Sequence, residues 1–152
     1  MMIGYVANSI DLLHPADRRR FGHFARSESL SFEEVNYYKE YDLVIVTIAA
    51  NFSKILSYKA RFPKAIVIFD YCDDLLSDSK TKKLFRPIYE CIKWKSFLNF
   101  RSYDNLVLEI LSVSDAIICG SDEQKQRLIQ YNENIFVIPD FLVTESFFSK
   151  EN

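Results

Sequence analysis

Along this 152-residue chain, short apolar runs alternate with longer stretches whose apolar residues recur at helical spacing. The runs are residues 2–7 (MIGYVA), 42–48 (DLVIVTI), 65–69 (AIVIF), 116–119 (AIIC) and 135–138 (IFVI). Continuous apolar runs of this length, rich in Val and Ile, read as strands buried on both faces of a parallel sheet. Between them, residues 15–26 (PADRRRFGHFAR) read as a helix, with Pro15 suited to a first turn where its missing N–H costs nothing. Residues 52–62 form a second helical stretch, stopped by Pro63, with Ile55, Leu56 and Tyr58 on its inner side. A third, residues 103–112, carries Leu106, Val107, Ile110 and Leu111. Parallel strands need crossovers, and these helices supply them.

The plainest unit is 113–141, VSDAIICGSDEQKQRLIQYNENIFVIPDF. Gly120 breaks the strand 116–119, and Ser121 opens a helix as N-cap, with Gln124 three residues later forming a capping box. Asp122 and Glu123 place negative charge on the first turn, where the helix dipole favours it. Leu128 and Ile129 are expected to face inward, and the helix to end near 132–134. Pro139 then stops the strand 135–138 and Asp140 follows. This is a βαβ unit.

Composition narrows the class. Hydrophobic residues make up 49% of the chain, enough for one domain with a real core. The net charge of −2 exerts no global pull toward nucleic acid, so no nucleic-acid partner is expected. Cys72, Cys91 and Cys119 are odd in number and lack a C-x-x-C spacing, which suits a reduced cytoplasmic compartment better than a disulfide framework or zinc site. The opening residues lack the basic region and long apolar core of a signal peptide, and no apolar run is long enough to span a bilayer. The chain is read as cytoplasmic.

Candidate chemistry lies in the connections. The loop after the first strand begins at Asn8 and lacks G-x-G-x-x-G, so the dinucleotide fingerprint is missing. Arg18, Arg19 and Arg20 follow; successive helical positions point in different directions, so they are either a solvated face or include one or two residues that hold a phosphate or acidic ligand. His14, just before this helix, and His23, within it, have no partnering nucleophile motif and read as surface or packing residues.

Just past the strand 65–69 lies DYCDDLLSD, with Asp70, Asp73 and Asp74. In open parallel sheets ligands bind beyond the carboxyl ends of strands. Three close carboxylates raise one another's pKa or recruit a cation or hydroxyl donor. Three uses stay open: a general base for a hydroxyl, a divalent metal site, or a helix cap with its neighbours solvated.

Residues 80–101 hold seven Lys or Arg against one Glu, a local charge of +6, with Leu84, Ile88, Cys91, Ile92 and Leu98 on a helical stripe and Phe85, Tyr89, Trp94, Phe97 and Phe100 around it. This is either a crossover helix with solvated lysines or an amphipathic segment lying on an anionic membrane surface.

The stretch 113–141 resembles the end of the N-terminal, acceptor-side half of GT-B glycosyltransferases, family four in particular. The match runs through Ser114, Asp115, Ala116, Ser121, Glu123, Gln124, Lys125, Val137, Ile138, Pro139 and Asp140. The run DRRRF resembles one in a bacterial polysaccharide-type subgroup, where it precedes a short strand, here 31–35 (SFEEV), and a second one, here 41–48. The stretch at Asp70, Asp73 and Asp74 is similar to a family pattern whose polar residues face the acceptor sugar; where many members carry histidine, this chain has none.

The resemblance implies an α/β fold: a Rossmann-like open, mostly parallel sheet flanked by helices, forming a single GT-B half-domain over 1–141. Residues 142–152 would be a tail or the start of a linker to a donor domain. It implies an acceptor-binding half that works with a C-terminal donor-binding domain, in the same full-length chain or a separate subunit. No cofactor is expected to bind tightly, and a nucleotide sugar is the expected co-substrate of the complete enzyme. Asp73 and Asp74 would be catalytic, with Asn8, Arg19, Arg20, Asp70, Ser121 and Gln124 binding acceptor or phosphate, and no metal. Peripheral contact through 80–101 would place the enzyme at the inner face of a membrane. The alternative is a stand-alone, non-catalytic binding module.

Overall fold

Six runs of extended chain pair into one sheet: β1 (Ile3–Val6), β2 (Phe32–Glu34), β3 (Leu43–Val46), β4 (Ile66–Tyr71), β5 (Ala116–Cys119) and β6 (Ile135–Val137). The computed structural model describes residues 1–9, 14, 17, 20–72, 75 and 103–139. Arg19, Asp73, Asp74, the basic stretch 80–101 and the 142–152 tail lie outside the described residues. Every strand pair is parallel, in the order β2-β1-β3-β4-β5-β6. Among the described residues four helices accompany them: α1 (Phe21–Ser27), α2 (Phe52–Arg61), α3 (Tyr103–Val113) and α4 (Asp122–Leu128). The fold is an α/β, Rossmann-like open sheet.

Strand order and handedness together decide which face each helix covers. From β3 the chain steps one strand at a time toward β6, and right-handed crossovers then put α2, α3 and α4 on one face. From β1 it steps the other way, to β2, so α1 falls on the opposite face. The core divides accordingly. On the first face Val44, Val46, Val67, Phe69, Tyr71, Ile117 and Cys119 pack with Phe52, Ile55 and Tyr58 of α2, Val107, Ile110 and Leu111 of α3, and Leu128 of α4. The Phe52 ring stands edge-on to Phe69 at 5.5 Å, and the Tyr58 hydroxyl accepts the Tyr41 backbone N–H at 3.0 Å, so the buried phenol keeps a polar partner.

On the second face the cluster is smaller: Ile3, Tyr5 and Ile45, with Phe21, Leu30, Phe32, Leu43 and Ile68 around them. The rings of Tyr5, Phe21 and Phe32 form a triangle with centroids 4.8, 5.7 and 5.2 Å apart. Beyond α1 this face is open among the described residues: Ile66 is 50% and Phe136 57% exposed.

Several local expectations are corrected. Of the expected helix 15–26, Asp17 and the stretch Phe21–Ser27 are helical with Arg20 in a turn between them, and residues 15, 16, 18 and 19 lie outside the described residues. β4 runs on to Tyr71, so Asp70 lies within the strand rather than past it. The α4 helix ends at Leu128, and Ile129 is 56% exposed instead of facing inward. β5 is buried on one face only, through Ile117 and Cys119.

Candidate functional site

Strand order reverses between β1 and β3, which lie side by side while their outgoing connections diverge to opposite faces. Such a switch point opens a crevice at the carboxyl ends of the strands, where ligands of doubly wound sheets bind. The loop after β1 forms one wall. The other is the turn from Thr47 to Asn51 that leads into α2.

Asp17 organises the first wall. Its side chain has no solvent exposure, and it accepts hydrogen bonds from five groups. The Tyr5 hydroxyl donates at 2.5 Å, the Asn8 backbone N–H at 2.9 Å, the Asn8 amide at 3.0 Å, the Ser9 N–H at 3.0 Å and the Ser9 hydroxyl at 3.3 Å. Burial alone would push the Asp17 carboxyl up, but the Asn8, Tyr5 and Ser9 donors outweigh it and hold the pKa below its ordinary value. The Tyr5 phenol is raised far above its ordinary range, first by burial and then by Asp17, so it stays a protonated donor. Gly22 completes the arrangement: a Cβ there would sit 2.3 Å from the Asp17 carbonyl oxygen, so only glycine lets α1 come this close.

Thr47 holds the second wall. Its hydroxyl, almost fully buried, donates to the Val6 carbonyl at 2.8 Å and ties the end of β3 to the end of β1. Asn51 then caps α2 by accepting the Lys54 N–H at 3.2 Å.

Behind the crevice, Arg20 at the start of α1 pairs with Asp70 of β4. Nε to Oδ1 is 2.6 Å and each side chain is 6% exposed. Arg20 Nη1 also reaches the Ile138 carbonyl at 3.5 Å, so one guanidinium links α1, β4 and the end of β6. A ligand arriving here meets a buried, mutually neutralised pair, not a lone cation beside a lone carboxylate.

The expected site residues therefore separate. Asn8 stands at the crevice, its described contacts fixing the loop to Asp17. Arg20 and Asp70 hold each other. Ser121 and Gln124 form the α4 cap: the Ser121 hydroxyl accepts the Gln124 N–H at 3.3 Å, and Gln124 Oε1 accepts the Gly120 N–H at 2.7 Å, one residue before the usual capping-box donor. Cys119 is buried, its thiol pushed up by that burial. Asp73, Asp74 and Arg19 lie outside the described residues.

Asp17, Tyr5 and Thr47 have no motif that marks them in the sequence; the short spacing from Asn8 to Asp17 across a proline-containing loop is the one available hint. Among the described residues no group of three or more His, Cys, Asp or Glu could hold a metal, and no helix is long and apolar enough to cross a membrane.

No family model, curated protein or solved structure matches this chain. Its function is therefore argued from the crevice itself.

One further feature adjoins the site. A groove of about 570 Å³ runs along the open face of the sheet, floored by Leu43, Ile45, Ile68 and Ile118 and walled by Phe21, Phe24 and Leu30. The Arg20–Asp70 pair closes it toward the carboxyl edge, where Ile138 and Pro139 form the rim.

Proposed function

We propose that this chain is the acceptor-side half of a GT-B glycosyltransferase, transferring sugar from a nucleotide-sugar donor to a glycan or lipid-linked acceptor. The observation that carries the reading is the reversal of strand order between β1 and β3. In open sheets a reversal of this kind is where ligands bind, and here it lies beside the Asp17-anchored loop of Asn8 and Ser9 and the Thr47–Val6 link, on a chain whose 113–141 stretch resembles the end of such a half. In this reading a C-terminal donor domain, on the same full-length chain or a separate subunit, holds the nucleotide sugar. The half described here positions an acceptor hydroxyl, with Asp73 or Asp74 as general base. Most of the rate gain comes from proximity and orientation once both halves close. The basic stretch 80–101 would hold the enzyme to an anionic membrane on its cytoplasmic side.

The alternative is a non-catalytic binding module. Favouring it, Arg20 is engaged with Asp70, and Ser121 with Gln124, so four expected ligand-binding residues have structural partners.

A nucleotide-sugar transfer and hydrolysis assay, run on this chain alone and with a donor half encoded beside it, separates the two. Activity that needs both chains, lost in Asp73→Asn or Asp74→Asn without unfolding, supports the transferase. Activity in the isolated chain overturns the divided-site reading, and silence in both settings favours the binding module.

A further inference from the structure

Successive backbone N–H groups in a turning loop make a concavity that binds anions, and nucleotide-binding sheets use the loop after a strand in this way for phosphate. In this chain the position is already filled. The Asn8 N–H donates to both Asp17 oxygens, at 2.9 and 3.1 Å, and the next N–H, that of Ser9, donates to Oδ2 at 3.0 Å. The anion is the chain's own carboxylate, with no solvent exposure. The Tyr5 and Ser9 hydroxyls donate to it as well, so all five of these bonds are of the kind an ionised carboxylate accepts.

The filled position changes what the loop can offer a ligand. A phosphate brought here would meet two N–H groups that are engaged, with a fixed negative charge at hydrogen-bond distance behind them. The Ser9 hydroxyl is engaged on both sides, donating to Asp17 and accepting the His14 N–H at 3.0 Å. Asn8 is turned the other way. Its NH2 donates to Asp17 Oδ1 at 3.0 Å, and an ionised carboxylate fixes that orientation because it can only accept. No described group donates to the Asn8 side-chain oxygen, so the group this half-buried residue still has to offer is an acceptor.

We propose that Asp17 sets the charge selectivity of the β1 loop: its carboxylate occupies the loop's anion position, so residues 8 and 9 refuse phosphate and face neutral, hydroxyl-bearing ligands. This narrows the acceptor-or-phosphate role expected of Asn8 to acceptor alone. In the transferase reading, on which only this last step rests, the acceptor meets the loop with a hydroxyl. Phosphates of the donor or of a lipid carrier are then held by other residues.

Amide NMR of the full chain tests the filled position directly. In the wild type, inorganic phosphate leaves the Asn8 and Ser9 amide signals where sodium chloride of equal ionic strength leaves them. Asp17→Ala empties the position, and formate, a carboxylate without the side chain, refills it. The Asn8 and Ser9 signals then move saturably toward their wild-type places. Tm rises by about 3–6 °C at formate about tenfold above its dissociation constant. Chloride does neither, and Asp17→Asn, whose amide keeps the space filled, does not respond to formate.

Saturable movement of the wild-type Asn8 and Ser9 signals with phosphate overturns the proposal, since the loop would then be open to outside anions. So does a folded Asp17→Ala chain whose Asn8 and Ser9 signals ignore formate. If Asp17→Ala is unfolded without formate, folding on its addition supports the proposal, and failure to fold at saturating formate while Asp17→Asn is folded counts against it. None of these readouts needs sugar transfer. A silent transfer assay beside a filled anion position therefore refutes the transferase reading alone.

Discussion

The two faces of this sheet are built from the same strands and held by different means. One is a dry apolar layer, where Phe69, Ile110, Leu111 and Ile117 interlock beneath three helices. The other, among the described residues, has a small aromatic cluster under one short helix and depends on polar links: Asp17 to the β1 loop, and Arg20 to Asp70. A layer covered by several helices can rely on non-directional burial, which adds with area. A thinly covered face gains less from burial, and directional bonds fix the positions of its loops. Loops held this way stand beside the crevice. The apolar face thus stabilises the domain, and the polar one sets the geometry of the candidate site.

The comparison is broken most directly on β4, whose neighbouring residues point to opposite faces. Phe69→Ala should cost about 3–5 kcal/mol, as a fully buried ring leaves a cavity. Ile66→Ala, on the open side, should cost about 1 kcal/mol or less. Equal losses in urea unfolding would show the two faces to be equally packed.

Next in size is the buried ion pair. Arg20→Ala strands the Asp70 carboxylate and should cost about 3 kcal/mol, whereas the paired change Arg20→Met with Asp70→Leu should recover much of that loss. A double variant no better than the single would mean that the two charges do not compensate each other.

Asp17→Asn should cost about 1–3 kcal/mol by weakening the shared acceptor of the β1 loop. It also carries a pH signature. The folded Asp17 pKa lies below its unfolded value, so the unfolded chain binds the extra proton first as pH falls. The stabilisation is complete above the unfolded carboxyl range, near pH 4, and is lost as pH drops through the folded pKa. Unfolding of wild type and Asp17→Asn measured from pH 7 down to pH 2 should therefore converge on acidification. Parallel curves would count against the hydrogen-bonded carboxylate.

The smallest effect is expected at the α4 cap, where Ser121→Ala should cost about 1 kcal/mol. If it also abolished a ligand-dependent activity with the fold intact, Ser121 would belong to the site as well as to the helix.

Much of this fold can be read locally. Short Val- and Ile-rich runs predict strands that the structure places within a few residues, and Asn51, Pro63, Ser121 and Gln124 mark helix ends through contacts with near neighbours in the chain. The errors share a cause. Ile129 follows the apolar spacing of α4 but falls past its last turn, and Asp70 follows an apolar run whose strand is extended through it by sheet pairing with Ile118. Of the candidate site, Asn8 was readable as a loop residue after a first strand. Asp17 was not: an acidic residue beside an arginine triplet looks like solvated helix until Tyr5, Asn8 and Ser9 are brought around it.

The sequence by itself determined that this is a parallel α/β domain, because strand and helix periodicities and caps act over a handful of residues. Only the tertiary structure decided which residues meet at the carboxyl edge and which face is the less covered among the described residues. Arg20 reaches Asp70 across fifty positions, and Thr47 reaches Val6 across forty-one. Those meetings follow from strand order and crossover handedness, which place whole elements relative to one another and leave no mark on any short stretch of chain.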